Sequence, residues 1–252
     1  VEEKQVLAVR HAPATPASGR PATRKLRVCH AFPSDEPMSV AWRDLVLTSD
    51  EPLTYKSCKD FSAPPSLKAG EELHIGLRNG PSNTFQISEL PEVDGTLLLV
   101  CFREGRNTLD LQFQSHAFAA TQNGSAQVAI MDTYDGRAKS EHSELHIGRA
   151  GEVNAGGGEV VSFDSIVKVN PGDYTLWLVE ESKNKEGVGF EVEARSNYVV
   201  LRVGGDAHES SGGKEFKQEL VVFPHTELSQ RSFASSKSFI ASFLVLLSIW
   251  AM

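Results

Sequence analysis

Nowhere in the 252 residues do three lysines or arginines stand in a row, and acidic side chains outnumber basic ones by 33 to 25. A chain without a basic run has no surface for tracking phosphates, so nucleic acid is not an expected partner. Cysteine is scarce: Cys29, Cys58 and Cys101 all fall in the first half, with no Cys-x-x-Cys pair, and no zinc site is indicated. Either the three pack as buried thiols or, in an oxidising compartment, two bridge and leave one over. The glycine clusters at 156–158 and 204–205 lack the strand–glycine–helix setting of a nucleotide loop. There is no Gly-x-Ser-x-Gly elbow, and no grouping of serine, histidine and acid stands out. His142 and His146 stand four apart, which on a helix would face one zinc ion. On the strand their neighbours describe, they are about 13 Å apart. Asp132, Asp135 and Gly136 hint at a calcium loop, but no glutamate completes an EF-hand. The expectation is therefore a chain that is not an enzyme and carries no cofactor or metal.

An amphipathic helix is also missing before residue 230, and what stands in its place is β pattern. Residues 1–24 form an extended arm: Gln5 to Arg10 suits a short strand, and 12–23 holds three prolines without periodicity. From Leu26 the chain alternates as strands do, breaks at Pro33, Ser34, Asp35, Glu36 and Pro37, then alternates again through Met38, Val40 and Trp42. Pro52, Pro64 and Pro65 forbid a helix in the middle of this half. Strands follow at 72–77, 84–90 and 96–102, the last nearly all apolar, and another passes through Leu109, Leu111 and Phe113. Strands at roughly ten-residue spacing with turns between them predict sandwiches.

The order then repeats. Ala126 to Met131 with Asp132 and the Asp135–Gly136 turn stands where Arg27 to Asp35 stood. Leu145-His146-Ile147 answers Val40-Ala41-Trp42, and Phe190-Glu191-Val192 answers Phe85-Gln86-Ile87. Gly70 and Gly172, 102 positions apart, each open a strand. Glu219-Leu220 with His225 answers Asp110-Leu111 with His116. This preserved order predicts a tandem duplication. The fold expected is all-β: two tandem Ig-like β-sandwich modules at 25–118 and 124–224, plus a short hydrophobic C-terminal helix. Trp42 and Trp177, on alternating strands, are expected to fill the two cores.

The stretch His30-Ala31-Phe32-Pro33-Ser34-Asp35-Glu36-Pro37, followed by Ser39-Val40-Ala41-Trp42, resembles the opening of a family of secreted and wall-attached tandem β-sandwich domains of unknown function. Their repeats begin His-Ala-Ser-Pro-Asp-Ala-Pro and continue Val-Asp-Val-Tyr. Lys68-Ala69-Gly70 and Asn170-Pro171-Gly172-Asp173-Tyr174 sit at that family's later Pro-Ala-Gly-Thr-Tyr turn, whereas Met131 to Asp135 departs from its opening signature. The resemblance implies a cell-surface or secreted pair of sandwiches and brings no activity with it.

The composition shifts after Pro224. A polar spacer at 225–238 precedes fourteen uncharged residues, 239–252. As a helix these span about 21 Å, short of the roughly 20 residues a bilayer core requires. The pattern suits a lipid-anchor signal of the GPI kind, with attachment near Ser229 or Ser232. A retained transmembrane span with Trp250 at the interface and a buried terminal helix are the alternatives. Asn123, in the only Asn-x-Ser/Thr sequon, is the expected glycosylation site. The function expected is a non-enzymatic surface or lumenal module, extracellular or lumenal by a secretory route and held to a membrane by its tail. It would bind a protein or glycan through the sandwich loops at Pro33, Ser34, Asp35 and Glu36 and at Asp132 and Asp135. The alternative is a structural accessory subunit of a membrane complex, held by a C-terminal span.

Overall fold

The computed structural model describes residues 24–62, 68–88, 94–105, 108–119, 124–136, 143–150, 158–180, 183–184, 187–207 and 213–225. The first half carries β1 (Arg24–His30), β2 (Met38–Trp42), β3 (Leu45–Val46), β4 (Cys58–Ser62), β5 (Glu72–Leu77), β6 (Ser82–Gln86), β7 (Gly95–Arg103) and β8 (Leu111–Ala119). The second carries β9 (Ala126–Asp132), β10 (Glu144–Arg149), β11 (Glu159–Val161), β12 (Ser165–Val169), β13 (Gly172–Glu180), β14 (Lys183–Asn184), β15 (Val188–Val192), β16 (Asn197–Gly205) and β17 (Phe216–Phe223). The strand expected at 84–90 is thus displaced to Ser82–Gln86. The N-terminal arm up to residue 23 with the strand suited to Gln5–Arg10, the terminal helix, the anchor at 239–252, Ser229, Ser232 and Asn123 lie outside the described residues.

These strands make four sheets, consistent with two β-sandwiches. In the first, β4-β1-β7-β8 faces β3-β2-β5-β6; in the second, β12-β9-β16-β17 faces β11-β10-β13, with β15 and β14 also on β13. Apart from β14, which has no counterpart among the described strands of the first, the connectivity is the same in both. Phe85 pairs with Leu73 as Phe190 pairs with Tyr174, which is the correspondence the sequence suggests. Two other matches need shifting by two residues. Met38 and Val40, not Val40 and Trp42, stand where Leu145 and Ile147 stand, judged by their partners Leu77 and Ile75 against Leu178 and Leu176. Leu220, opposite Arg202, corresponds to Phe113, opposite Cys101, rather than to Leu111. A shift of two keeps each side chain on its face, because the period of a strand is two, so the hydrophobic pattern alone could not detect it.

Three cores result, and the middle one lies between the sandwiches. Leu26, Val28, Leu97, Leu99 and Cys101 point into the first sandwich, while Cys29, Ala31, Leu98 and Val100 point the other way. They meet Ala129, Met131, Val199, Leu201 and Val203, whose neighbours Val128, Ile130, Tyr198 and Val200 fill the second sandwich. Strands β1, β7, β9 and β16 are therefore covered on both faces. They form the parallel pairs β1–β7 and β9–β16. Doubly buried parallel strands read as continuous apolar runs, which is why 97–101 shows no alternation. Equivalent positions supply both sides of the interface: Cys29 and Met131 correspond, as do Val100 and Leu201, which is the mark of a pseudo-twofold, isologous contact. Leu98, Val100, Val199 and Leu201 have no exposed surface, and each such burial stabilises by about 1.5–3 kcal/mol.

The same alternation settles the cysteines. Cys29 and Cys58 are direct cross-strand neighbours facing the middle core and form a disulfide, Cα–Cα 4.0 Å. Cys101 faces the first core and stays a buried thiol, its ionisation pushed up by burial. A disulfide of this kind points to an extracellular or secreted domain. Trp42 does fill the first core. Trp177 does not fill the second: between the inward Leu176 and Leu178 it faces away from that core, stacked on His146 with ring centroids 5.6 Å apart. It is nevertheless buried, beside Gly158, where an added Cβ would lie 2.4 Å from its ring. With φ +114, that position is one only glycine occupies comfortably.

Candidate functional site: the joined loop end

β1 and β9 finish at the same end of the molecule, and the turns that follow them, 31–37 and 133–136, come together there. Each turn is closed locally by its own side chain. The Glu36 amide donates to Ser34 Oγ at 3.1 Å, and the Tyr134 amide donates to Asp132 Oδ1 at 3.1 Å. Such side-chain-to-backbone closure is what makes Ser and Asp turn residues. His30 Nε2 lies 3.1 Å from the Glu36 carbonyl and ties the first turn back to its strand. In the second, Thr133 donates through both its amide (3.0 Å) and its Oγ1 (2.8 Å) to the Arg202 carbonyl, and the Asp135 amide donates to the Gly204 carbonyl at 3.1 Å. Gly204 sits at φ +126 beside the bulge in β16, where a Cβ would lie 2.8 Å from the β17 backbone, so no other residue fits.

Two buried arginines organise this end. Arg103, at the end of β7, reaches across to the second sandwich and donates from Nε to Asp135, both side chains being almost fully buried. Its guanidinium lies 5.8 Å from the Phe32 ring, and Pro33 packs over Gly205. A buried pair of this type contributes little net stability, but removing one partner strands the other charge. Arg202 gathers partners within the second sandwich. It donates to Asp132 at 3.3 Å and to Ser143 Oγ at 3.0 Å, lies 3.6 Å from Glu180, and sits 4.8 Å from the Tyr134 ring centroid and 5.5 Å from that of Phe163. Gln218 holds Glu180 from the other side at 2.5 Å.

In the first sandwich the corresponding ground is uncharged. His30 has no exposed surface, and burial pulls its pKa from 6.5 down to about 4, so it is neutral. Tyr55 packs edge-on to His30 at 6.0 Å and to Phe216 of the second sandwich at 5.0 Å, and its hydroxyl is likewise held protonated by burial. Beside it Lys56 pairs with Glu219, another contact between the sandwiches. The solvent-facing rim is different in character. Asp35, paired with Lys214 at 2.6 Å, is exposed, as are Glu104, Glu215 and the apolar Leu109.

The structure thus divides the residues marked by the sequence. Pro33 and Ser34 are buried scaffold; Asp35 faces solvent and Glu36 does so in part. Asp135 is not offered to solvent at all, because it neutralises Arg103, and Asp132 is engaged by Arg202. Neither aspartate belongs to a metal cluster, since among the described residues no group of three or more His, Cys, Asp or Glu is placed to hold an ion. Arg103 and Arg202 escaped sequence reasoning: Arg103 ends an apolar run, where a charge reads as a strand boundary, and Arg202 lies inside one, between Leu201 and Val203. A basic residue within a strand otherwise buried on both faces was the available signal.

No family model matches the chain, and no curated protein matches it. Among solved structures, the crystal structure of CBMbc (family CBM26) from Eubacterium rectale Amy13K in complex with maltoheptaose is similar over 81% of this chain and 97% of that one, at 8% identity and a TM-score of 0.26. A superposition so loose assigns this chain no ligand.

Proposed function

We propose that the chain is a non-enzymatic binding or adhesion module, presented from a membrane by its C-terminal segment, with the joined loop end as its binding surface. The observation that carries this reading is the Arg103–Asp135 pair: it locks the loops of both sandwiches into one surface at a single end. Strand direction adds to it. β17 runs antiparallel to β16, so the chain leaves its last sheet at the opposite end, about 25 Å from the loops for an eight-residue strand. An anchor attached after β17, near Ser229 or Ser232, would then hold the loops away from the membrane. The exposed rim, with Asp35, Glu104 and Glu215 around Leu109 and Lys214, suits a partner carrying basic groups and some apolar surface.

The test is the intact mass of the mature protein from its native membrane, together with release by a phospholipase that cleaves glycolipid anchors. The reading expects release and a mass ending between Ser229 and Ser236. A mass that retains Trp250 to Met252, with constant co-purifying membrane subunits, would replace it with the accessory-subunit reading.

A further inference from the structure

A groove of about 410 Å³ runs beside β17 and is lined by Lys56, Val188, Leu220, Val221, Val222, Phe223 and His225. Four consecutive strand residues cannot share a face, since Leu220 and Val222 point into the second core and Val221 and Phe223 toward the middle one. What they share is the outer backbone edge of β17, and no described strand pairs with that edge. In the first sandwich one carbonyl at the start of the corresponding edge is capped by a side chain. There Asn83 of β6 donates its side-chain amide to the Leu111 carbonyl of β8 at 2.8 Å. At the position of Asn83, opposite Ile75, the second sandwich has Val188, opposite Leu176, which has no donor to give. Along the groove the side chains beside β17 are apolar, and among the described residues no strand lies on its outer backbone groups, the arrangement that accepts an added strand.

We propose that the occupant is the chain's own N-terminal arm, with Gln5 to Arg10 pairing along β17. The arm is available at the right place: β1 begins at Arg24, and Arg27, three residues on, already lies 4.8 Å from the Phe223 ring and donates to the Asn197 carbonyl. Thirteen residues, 11–23, connect Arg10 to that point, a reach of up to about 40 Å, while the groove follows only four residues of strand. Val6, Leu7, Ala8 and Val9 offer apolar side chains to both walls. This pairing is independent of what the loop end binds and leaves 239–252 free for a membrane.

The experiment is amide hydrogen exchange on the full chain, following peptides over 218–224, for the unaltered protein, Val6→Asp/Val9→Asp and Phe243→Asp/Val245→Asp. Protection over Leu97–Val100 serves as the check that the sheets remain intact. The proposal expects exchange over 218–224 to rise at least tenfold in Val6→Asp/Val9→Asp only, and to be independent of protein concentration. Equal exchange in all three chains overturns it, as does a rise only in Phe243→Asp/Val245→Asp, which would seat the C-terminal segment in the groove. Protection that grows with concentration would seat a second copy there instead.

Discussion

The two sandwiches answer one structural question in opposite ways. In the parallel ladder of the first, His30 stands opposite Cys101; at the same rung of the second, Asp132 stands opposite Arg202. The first pair is neutral, with His30 Nδ1 having no hydrogen-bond partner among the described residues. The second is ionic and draws in Glu180, Ser143 and two aromatic rings. A backbone slot therefore does not dictate polarity; it dictates that whatever enters must be either uncharged or fully compensated. The contrast continues one residue earlier. The first sandwich has the Cys29–Cys58 disulfide, whereas the second has Met131 at that position, with Asp164 on the adjoining chain accepting from the Asp132 amide at 3.4 Å.

Removing the charge from the ionic rung should produce the largest effect. Arg202→Met leaves Asp132 and Glu180 facing each other without their cation and is expected to cost about 3–5 kcal/mol in urea unfolding. Cys101→Val, at the neutral rung, is expected to cost less than about 1.5 kcal/mol, because volume and polarity barely change. Equal losses would mean that the two rungs are not built differently.

Breaking the covalent half of the contrast comes next. A Cys29→Ala/Cys58→Ala chain loses a cross-link spanning 29 residues. It should be less stable by about 3 kcal/mol, measured by thermal or denaturant unfolding under non-reducing conditions.

The neutral rung is exposed by acid. His30 binds its proton with a pKa of about 4 when folded against 6.5 when unfolded, so between those values the unfolded chain holds more protons. Its contribution is fully present above pH 6.5 and is lost as pH falls toward 4, by about 3 kcal/mol. His30→Met should flatten this part of the stability–pH curve; an unchanged slope would assign the acid sensitivity to other groups.

The smallest effect belongs to the rim. Lys214 and Asp35 are both more than half exposed, so Lys214→Ala should shift stability by less than about 1 kcal/mol. If the loop end is the binding surface, the same substitution changes the on-rate and salt dependence of partner binding instead.

Much of the architecture was legible in local patterns. The break at Pro33–Pro37, the alternation of Met38, Val40 and Trp42, and the glycines at 70 and 172 mark strands and turns because those preferences act over a few residues. The Phe85–Phe190 correspondence was legible because the aromatic side chains stand out. The joined loop end was only half legible. The turns at 33–37 and 132–136 carry their own Ser and Asp closures, but nothing in either turn announces the other. Asp135 and Arg103 are 32 positions apart, and each reads as a solvent-facing charge until the sandwiches are stacked.

By itself, then, the sequence determined an all-β chain whose two halves follow one strand order, an acidic balance, and an uncharged final segment after a polar spacer. These follow from period, turn chemistry and composition, which are local properties. Only the tertiary structure decided that the sandwiches share a third core, that Cys29 bridges Cys58 while Cys101 stays reduced, that Trp177 faces away from the core meant for it, and that Asp135 is spent on Arg103. The physical reason is common to all four. A strand has two faces, and which of them is covered, and by what, depends on a partner sheet brought from elsewhere in the chain.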